Sequence, residues 1–191
     1  MEELSQHILD VALNSLKAGA TRLEIFVRED IPANVLEFRV RDNGHGMAKE
    51  YIEKMQDPFF TTKKNKRVGL GIPLLKEAVE RCGGIFKIRT SPTVGATVTA
   101  KFPYDHLDRA PLGDIAGTLS VLITSSQSIQ IIYRHYYNDK AFFLDTGELE
   151  STLGGIPLHT PEVLVWLKDY LNRNIAVLKE AGKIEKLGRT G

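Results

Sequence analysis

A single cysteine, Cys82, stands in the 191-residue chain, so no internal disulfide can form and a disulfide-stapled secreted scaffold is excluded. That usage fits a reducing cytoplasm. No run of about 18 uninterrupted apolar residues occurs, so the sequence offers no membrane-spanning helix. The N-terminal MEELSQHILD is acidic and amphipathic and lacks the basic start and apolar run of a secretory signal. Charge of one sign is also scarce: 25 Lys and Arg face 24 Asp and Glu, a formal net charge of +1. Neither nucleic acid nor a membrane surface is the expected partner of that balance. There is no internal repeat and no low-complexity tract. His45, His106, His135 and His159 are scattered, and no His/Cys/carboxylate cluster has metal-ligand spacing. What the chain does have is 42% hydrophobic residues, enough for a packed core.

Periodicity organises the first hundred residues. Leu4, Ile8, Val11, Ser15 and Ala18 recur at helical steps and form a core stripe over residues 2–18, while His7, Asp10, Asn14 and Lys17 recur on another side. Two alternating segments, 21–28 and 34–41, read as strands joined at Ile31-Pro32-Ala33-Asn34. A short helix over 48–56, a polar loop over 57–68 and a helix over 72–82 follow. Strands are then expected over 85–90 and 97–102. Clustered neighbouring strands with interspersed helices indicate an α+β sandwich, helices on one face of a mixed, mostly antiparallel sheet. A boundary is expected at Tyr104–Gly113, giving a first domain over 1–104 and a smaller C-terminal α/β appendage over 105–191. Within the latter, 114–125 is a helix or a strand, Asn138-Asp139 signals a hairpin, and a long amphipathic helix runs from Thr160 to about Ala181. Its stripe of Val163, Leu164, Leu167, Leu171, Ile175 and Leu178 reads as packing. The aromatic group Tyr133, Tyr136, Tyr137, Phe142 and Phe143 reads as core rather than as a binding face.

Three polar patches sit at even spacing in the first domain: Asp10-x-x-x-Asn14, Asp42-Asn43-Gly44-His45-Gly46 and Gly69-Leu70-Gly71. Asp42 directly follows an apolar strand, and a carboxylate there must find donors. An adenine amino group is such a donor, whereas guanine presents a carbonyl at that edge. An ordinary Asp-Asn-Gly turn accounts for the same residues. Asn14 offers a neutral amide oxygen suited to Mg²⁺, which keeps waters and takes few protein ligands. Asp10, one turn earlier, can act as a general base, and Lys17 can meet a phosphate. A solvated helix face is the plainer alternative. Gly69 and Gly71 open a helix whose bare N–H groups and dipole favour an anion. Lys63, Lys64, Lys66 and Arg67 lie just before them.

Asn14, Asp42-x-Gly44-x-Gly46, Phe59-Phe60-Thr61-Thr62-Lys63 and Gly69-Leu70-Gly71 together resemble the nucleotide-binding boxes of the GHKL superfamily: gyrase, heat-shock chaperone, histidine kinase and mismatch-repair ATPases, which share the Bergerat fold. The resemblance covers roughly residues 4–103. It implies a Bergerat-type two-layer sandwich and a site for ATP with Mg²⁺. Asp42 would bind the adenine amino group, Asn14 the metal, and Gly69, Leu70 and Gly71 the phosphates. Gly44 and Gly46 would shape the adenine pocket, and Thr61, Thr62 and Lys63 would belong to an ATP lid over 57–68. Lys17 matches a position often basic in the kinases. Hydrolases of the superfamily carry Glu where this chain has Asp10. The shorter side chain retracts the carboxylate by about one C–C bond, ~1.5 Å, which implies slow hydrolysis. The late Gly-Thr step reads Gly95-Ala96 here, with Thr97 one position on. Too few residues precede Asn14 for a phosphoacceptor domain. The expected function is a cytoplasmic, Mg-ATP-binding regulator with weak ATPase activity, whose lid presents a surface to a protein partner; a homodimer is a further option. The alternatives are a serine/threonine-type kinase of the anti-sigma-factor kind and a catalytically degenerate interaction module.

Overall fold

A computed structural model of the chain describes residues 3–46, 71–126 and 128–188, the last five of these for backbone only. The elements run α1 (Leu4–Lys17), β1 (Arg22–Asp30), β2 (Val35–Asp42), α2 (Gly71–Arg81), β3 (Ile85–Ser91), β4 (Gly95–Pro103), α3 (Ile115–Ser125), β5 (Gln130–Tyr137), β6 (Lys140–Asp145), α4 (Thr146–Thr152) and α5 (Pro161–Gly188). The six strands form one sheet in the order β3-β4-β2-β1-β5-β6. All neighbours are antiparallel except β1 and β5. The fold is therefore α+β with a mixed, mostly antiparallel sheet, as the strand clustering requires. The short helix expected over 48–56 and the loop over 57–68 lie outside the described residues.

Alternation along the strands decides the two faces. Leu23, Ile25 and Val27 of β1 and Leu36, Phe38 and Val40 of β2 are buried under the helices. Leu4, Ile8, Val11, Ala12 and Ser15 of α1 point into the same layer. Each fully buried Leu, Ile or Phe contributes about 1.5–3 kcal/mol relative to exposure, so this layer supplies most of the driving force. The polar side inferred for α1 is not uniform. His7 is buried and Asp10 half-buried, while Asn14 and Lys17 are exposed, because α2 packs over the middle of α1.

The described residues beyond 104 add two strands to this sheet. β5 pairs in parallel with β1, and β6 closes the edge. Asp114 caps α3, its carboxylate accepting from the Gly117 N–H at 2.7 Å, which settles 114–125 as a helix. The stripe on α5 does pack: Leu167, Leu171 and Leu178 are buried. The segment before α3 is tied to α1, whose unpaired first N–H groups need acceptors. Leu4 and Ser5 donate to the carbonyls of Pro111 and Leu112 at 2.9 and 2.8 Å. Among the described residues no helix is long and apolar enough to cross a membrane.

A buried ionic group joins the first hundred residues to the rest. Glu29 of β1, 3% exposed, receives His135 Nε2 at 3.0 Å and Lys179 Nζ at 2.9 Å, and Tyr133 Oη lies 2.8 Å from His135 Nδ1. Burial alone would raise the Glu29 pKa, but the His135 hydrogen bond and the Lys179 charge outweigh it and hold it below the usual value. The charge is thus retained inside the fold.

His7 is different. It is 3% exposed, its Nδ1 has no partner among the described residues, and it borders a cavity of about 130 Å³ beside Glu77, Arg81 and Asp108. Burial pushes its pKa from 6.5 down to about 4. The unfolded chain therefore takes up the proton first, so stability is complete above pH 6.5 and falls as the pH drops toward 4. The slope is at most ~1.4 kcal/mol per pH unit. Urea unfolding measured from pH 7 down to pH 5 shows that decline, and His7→Leu flattens it. An unchanged slope in the variant places the titration elsewhere.

Candidate functional site

The site begins where β2 ends. Alternation turns Leu36, Phe38, Val40 and then Asp42 toward the helices, so the last inward position of an apolar strand carries a charge. Asp42 is 9% exposed, and a carboxylate so enclosed must be satisfied. Its Oδ1 accepts from the Gly44 N–H at 2.9 Å and the Ala96 N–H at 3.1 Å. Its Oδ2 accepts from the Ser15 hydroxyl at 2.6 Å. Three elements, α1, β2 and β4, thus meet on one carboxyl group. Oδ1 carries two donors and Oδ2 one, which leaves acceptor capacity on Oδ2.

Ser15, which holds Asp42, is the residue that sequence reasoning placed only in the core. It lies in the apolar stripe at a helical step, and the stripe accounted for it. The available signal was a lone hydroxyl among Leu, Ile and Val beside Asn14. Thr97 is the reverse case. It pairs with Arg41 in the sheet and lines the opposite face, so the backbone of Ala96 serves Asp42 in its stead.

The loop after Asp42 is clamped on both sides. Asn43 Oδ1 accepts from the Thr21 and Arg22 N–H groups at 3.0 and 2.9 Å. The His45 N–H donates to the Ala18 carbonyl at 3.0 Å, and the His45 carbonyl accepts from Thr93 at 2.8 Å. Room is short throughout. A Cβ on Gly44 would stand 2.8 Å from the Ala18 carbonyl oxygen. Gly46 has φ +63°, and a Cβ there would come within 2.0 Å of the Ser91 carbonyl oxygen. Gly95, at φ +107°, approaches the Asp42 backbone equally closely. These are positions only glycine fits.

On α1, Asp10 and Asn14 are one turn apart, with Asn14 exposed and Ser15 behind it on Asp42. Gly71, the first residue of α2, lies against Asp10: a Cβ at Gly71 would be 2.9 Å from Asp10 Oδ2. The start of α2 therefore abuts the acid of α1, where the helix dipole favours negative charge. Ser15, Asp42 and Gly44 come together where α1, β2 and β4 meet, Gly46 lies against Ser91 and Gly95 beside that loop, and Asp10 and Gly71 come together where α2 starts against α1. Lys17 is exposed in the last turn of α1. Thr61, Thr62, Lys63, Gly69 and Leu70 lie outside the described residues. Among the described residues no group of three His, Cys, Asp or Glu could hold a metal ion.

Residues 2–106 match the model of the histidine kinase-, DNA gyrase B- and HSP90-like ATPase domain. The chain belongs to this ATPase family. It is 28% identical to the sensor histidine kinase ZraS of Escherichia coli K12 over 112 residues, 59% of this chain and 24% of that protein. It is 28% identical to the non-motile and phage-resistance protein of Caulobacter vibrioides, over 56% of this chain and 14% of the relative. A probable C4-dicarboxylate sensor kinase of Halalkalibacterium halodurans is 32% identical over 48% of this chain and 17% of its own. The chain thus spans a quarter or less of the length of these relatives. Among solved structures, the Aquifex aeolicus MutL ATPase domain complexed with ADP superposes with a TM-score of 0.50 at 14% identity. That match covers 81% of this chain and 70% of the other, a likeness of fold.

Two substitutions probe how this ATPase domain holds its site. Ser15→Ala removes a hydroxyl from a buried carboxylate and is expected to cost about 1.5–3 kcal/mol in denaturant unfolding. A loss within error of zero shows that the hydroxyl does not hold Asp42. Gly46→Ala forces a methyl into the Ser91 carbonyl and a strained φ; a loss above about 2 kcal/mol is expected, and a neutral result rules out the tight clamp.

Proposed function

We propose that this chain binds Mg-ATP and acts as a nucleotide-controlled regulator with weak ATPase activity. The observation that carries the reading is the Asp42 carboxylate: enclosed, held by Ser15, Gly44 and Ala96, and with one acceptor position left on Oδ2. The exocyclic amino group of adenine supplies the missing donor, and guanine lacks a donor at that edge. Family membership and the start of α2 against Asp10 support the same ligand.

The residues present fit that ligand. Gly44 and Gly46 keep the loop beside Asp42 free of side chains, which lets a flat base approach the backbone. Asn14 is exposed one turn from Asp10, and a single amide oxygen suits a magnesium ion that takes its other ligands from phosphates and water. Gly71 at the start of α2, with Gly69 and Leu70 before it, would present N–H groups to the phosphates. Residues 57–68, with Thr61, Thr62 and Lys63, would form a lid that nucleotide orders. Lys17 would meet phosphate at the edge. When bound, Mg²⁺ offsets phosphate charge. Asp10 would orient and deprotonate the attacking water, and its short side chain keeps that step slow.

Relatives that carry the name sensor kinase support a second reading. In it, Asp10 activates a hydroxyl of a separate protein and the phosphoryl group passes there instead of to water. Labelled ATP incubated with the chain and candidate partners separates the two, since label on a partner supports transfer and free phosphate alone supports hydrolysis.

Asp42→Asn turns an acceptor oxygen into a donor against the adenine amino group. Calorimetry is expected to show a loss of ATP affinity of a hundredfold or more, roughly 3 kcal/mol, with the circular dichroism spectrum retained. Unchanged affinity removes Asp42 from the site. Asp10→Ala is expected to leave ATP affinity within about threefold while lowering turnover by roughly a hundredfold or more; equal turnover excludes Asp10 as the base.

A further inference from the structure

Among the described residues no helix covers the other face of the sheet, and across β3, β4 and β2 its charge is mostly basic. Cross-strand registers place Lys87, Thr99 and Arg39 in one row and Arg89, Thr97 and Arg41 in the next, with Lys101 beside them. They line a groove of about 710 Å³ across β3, β4 and β2. Glu37 is the one carboxylate of the strands' outward positions there, and it is paired with Arg39 at 2.9 Å. The other carboxylate of the lining, Asp42, points its oxygens to the helix side. Among the described residues Arg41, Lys87, Arg89 and Lys101 have no ion-pair partner. A net charge of +1 argues against a polyanion only when charge is spread evenly, and here it is not.

The Arg39 row continues into aromatic rings, while the Arg41 row continues into Glu24, which is itself paired with Arg22 and Arg134. Arg39 lies over Phe26 at 5.2 Å, Phe26 is 5.4 Å from Tyr136, and Tyr136 is 5.8 Å from Phe143. Phe143 is 57% exposed. Fixed cations with interleaved hydroxyls beside exposed rings on a flat sheet suit a chain that alternates phosphates with flat bases. An acidic peptide would use the cations and leave the rings idle.

We propose that the open sheet face binds single-stranded nucleic acid, phosphates on Arg41, Lys87, Arg89 and Lys101 and unpaired bases on the Tyr136–Phe143 platform. This surface is separate from the Asp42 site and does not rest on the ATP reading.

Fluorescence anisotropy of the whole chain with labelled oligothymidylate and oligouridylate of about 15 nucleotides tests it. Binding is expected for both, weaker for a duplex of the same length. Four phosphate contacts predict that a roughly fourfold rise in salt weakens it by about fiftyfold. Lys87→Glu with Arg89→Glu should weaken it roughly tenfold or more, and Phe143→Ala about fivefold. The circular dichroism spectrum and urea-unfolding midpoint of these variants should be unchanged, which reports that they are folded. Absence of binding at low salt overturns the proposal. So does equal binding of polyglutamate with indifference to Phe143→Ala, which would make the face an acidic-peptide surface, and so does equal binding of duplex, which would remove the stacking platform.

Discussion

One buried carboxylate organises the meeting of α1, β2 and β4 in this molecule. Asp42 sits at the end of an apolar strand, where its charge is costly unless donors surround it. The donors come from three places: a helix hydroxyl, the next loop's N–H and an N–H of a strand far along the chain. Each fixes the distance between two elements. Ser15 sets α1 against β2, and Ala96 sets β4 against the loop. The glycines at 44, 46 and 95 are the consequence, since backbone brought that close leaves no space for a Cβ. A carboxylate held this rigidly keeps its remaining lone pair in one orientation, and preorganisation of that kind is what a selective polar contact needs.

The second half of the chain is bound into the first by different means. β5 extends the sheet along β1, and the charge of Glu29 is shared with His135 and Lys179. A buried ion pair of this sort contributes little net stability once desolvation is counted, but removing either partner is costly. It therefore specifies the docking of β5 and α5 more than it drives it. The family match ends near residue 106, yet the sheet does not. The structural unit thus exceeds the sequence unit that the relatives share.

The two faces of the sheet have opposite characters for one reason. Period-2 alternation sends every second residue outward. On the inward side lie Leu23, Ile25, Val27, Leu36, Phe38 and Val40; on the outward side the same strands carry Arg39, Arg41 and Phe26. The aromatic group of β5 and β6 shows the split directly. Tyr133 and Tyr137 are buried with Leu144, while Tyr136 and Phe143 face out. Reading that group as core was right for Tyr133, Tyr137 and the partly buried Phe142 and wrong for the other two, because an aromatic run in a strand necessarily divides between faces.

By itself the sequence determined what local chemistry can determine: the helical stripe of α1, the alternating strands, the acid after β2, the glycines around it and the α+β class. Those signals are carried by neighbours within a few residues, and burial amplified them without changing them. Only the tertiary structure decided that Ser15 serves Asp42, that Ala96 replaces a hydroxyl, that β5 runs parallel beside β1, and that His7 is enclosed while Asn14 is not. Each of these depends on which distant segment lies alongside. A parallel pairing or a single hydroxyl contact leaves no periodic trace in the chain, because the partner is chosen by packing and charge satisfaction across the whole fold.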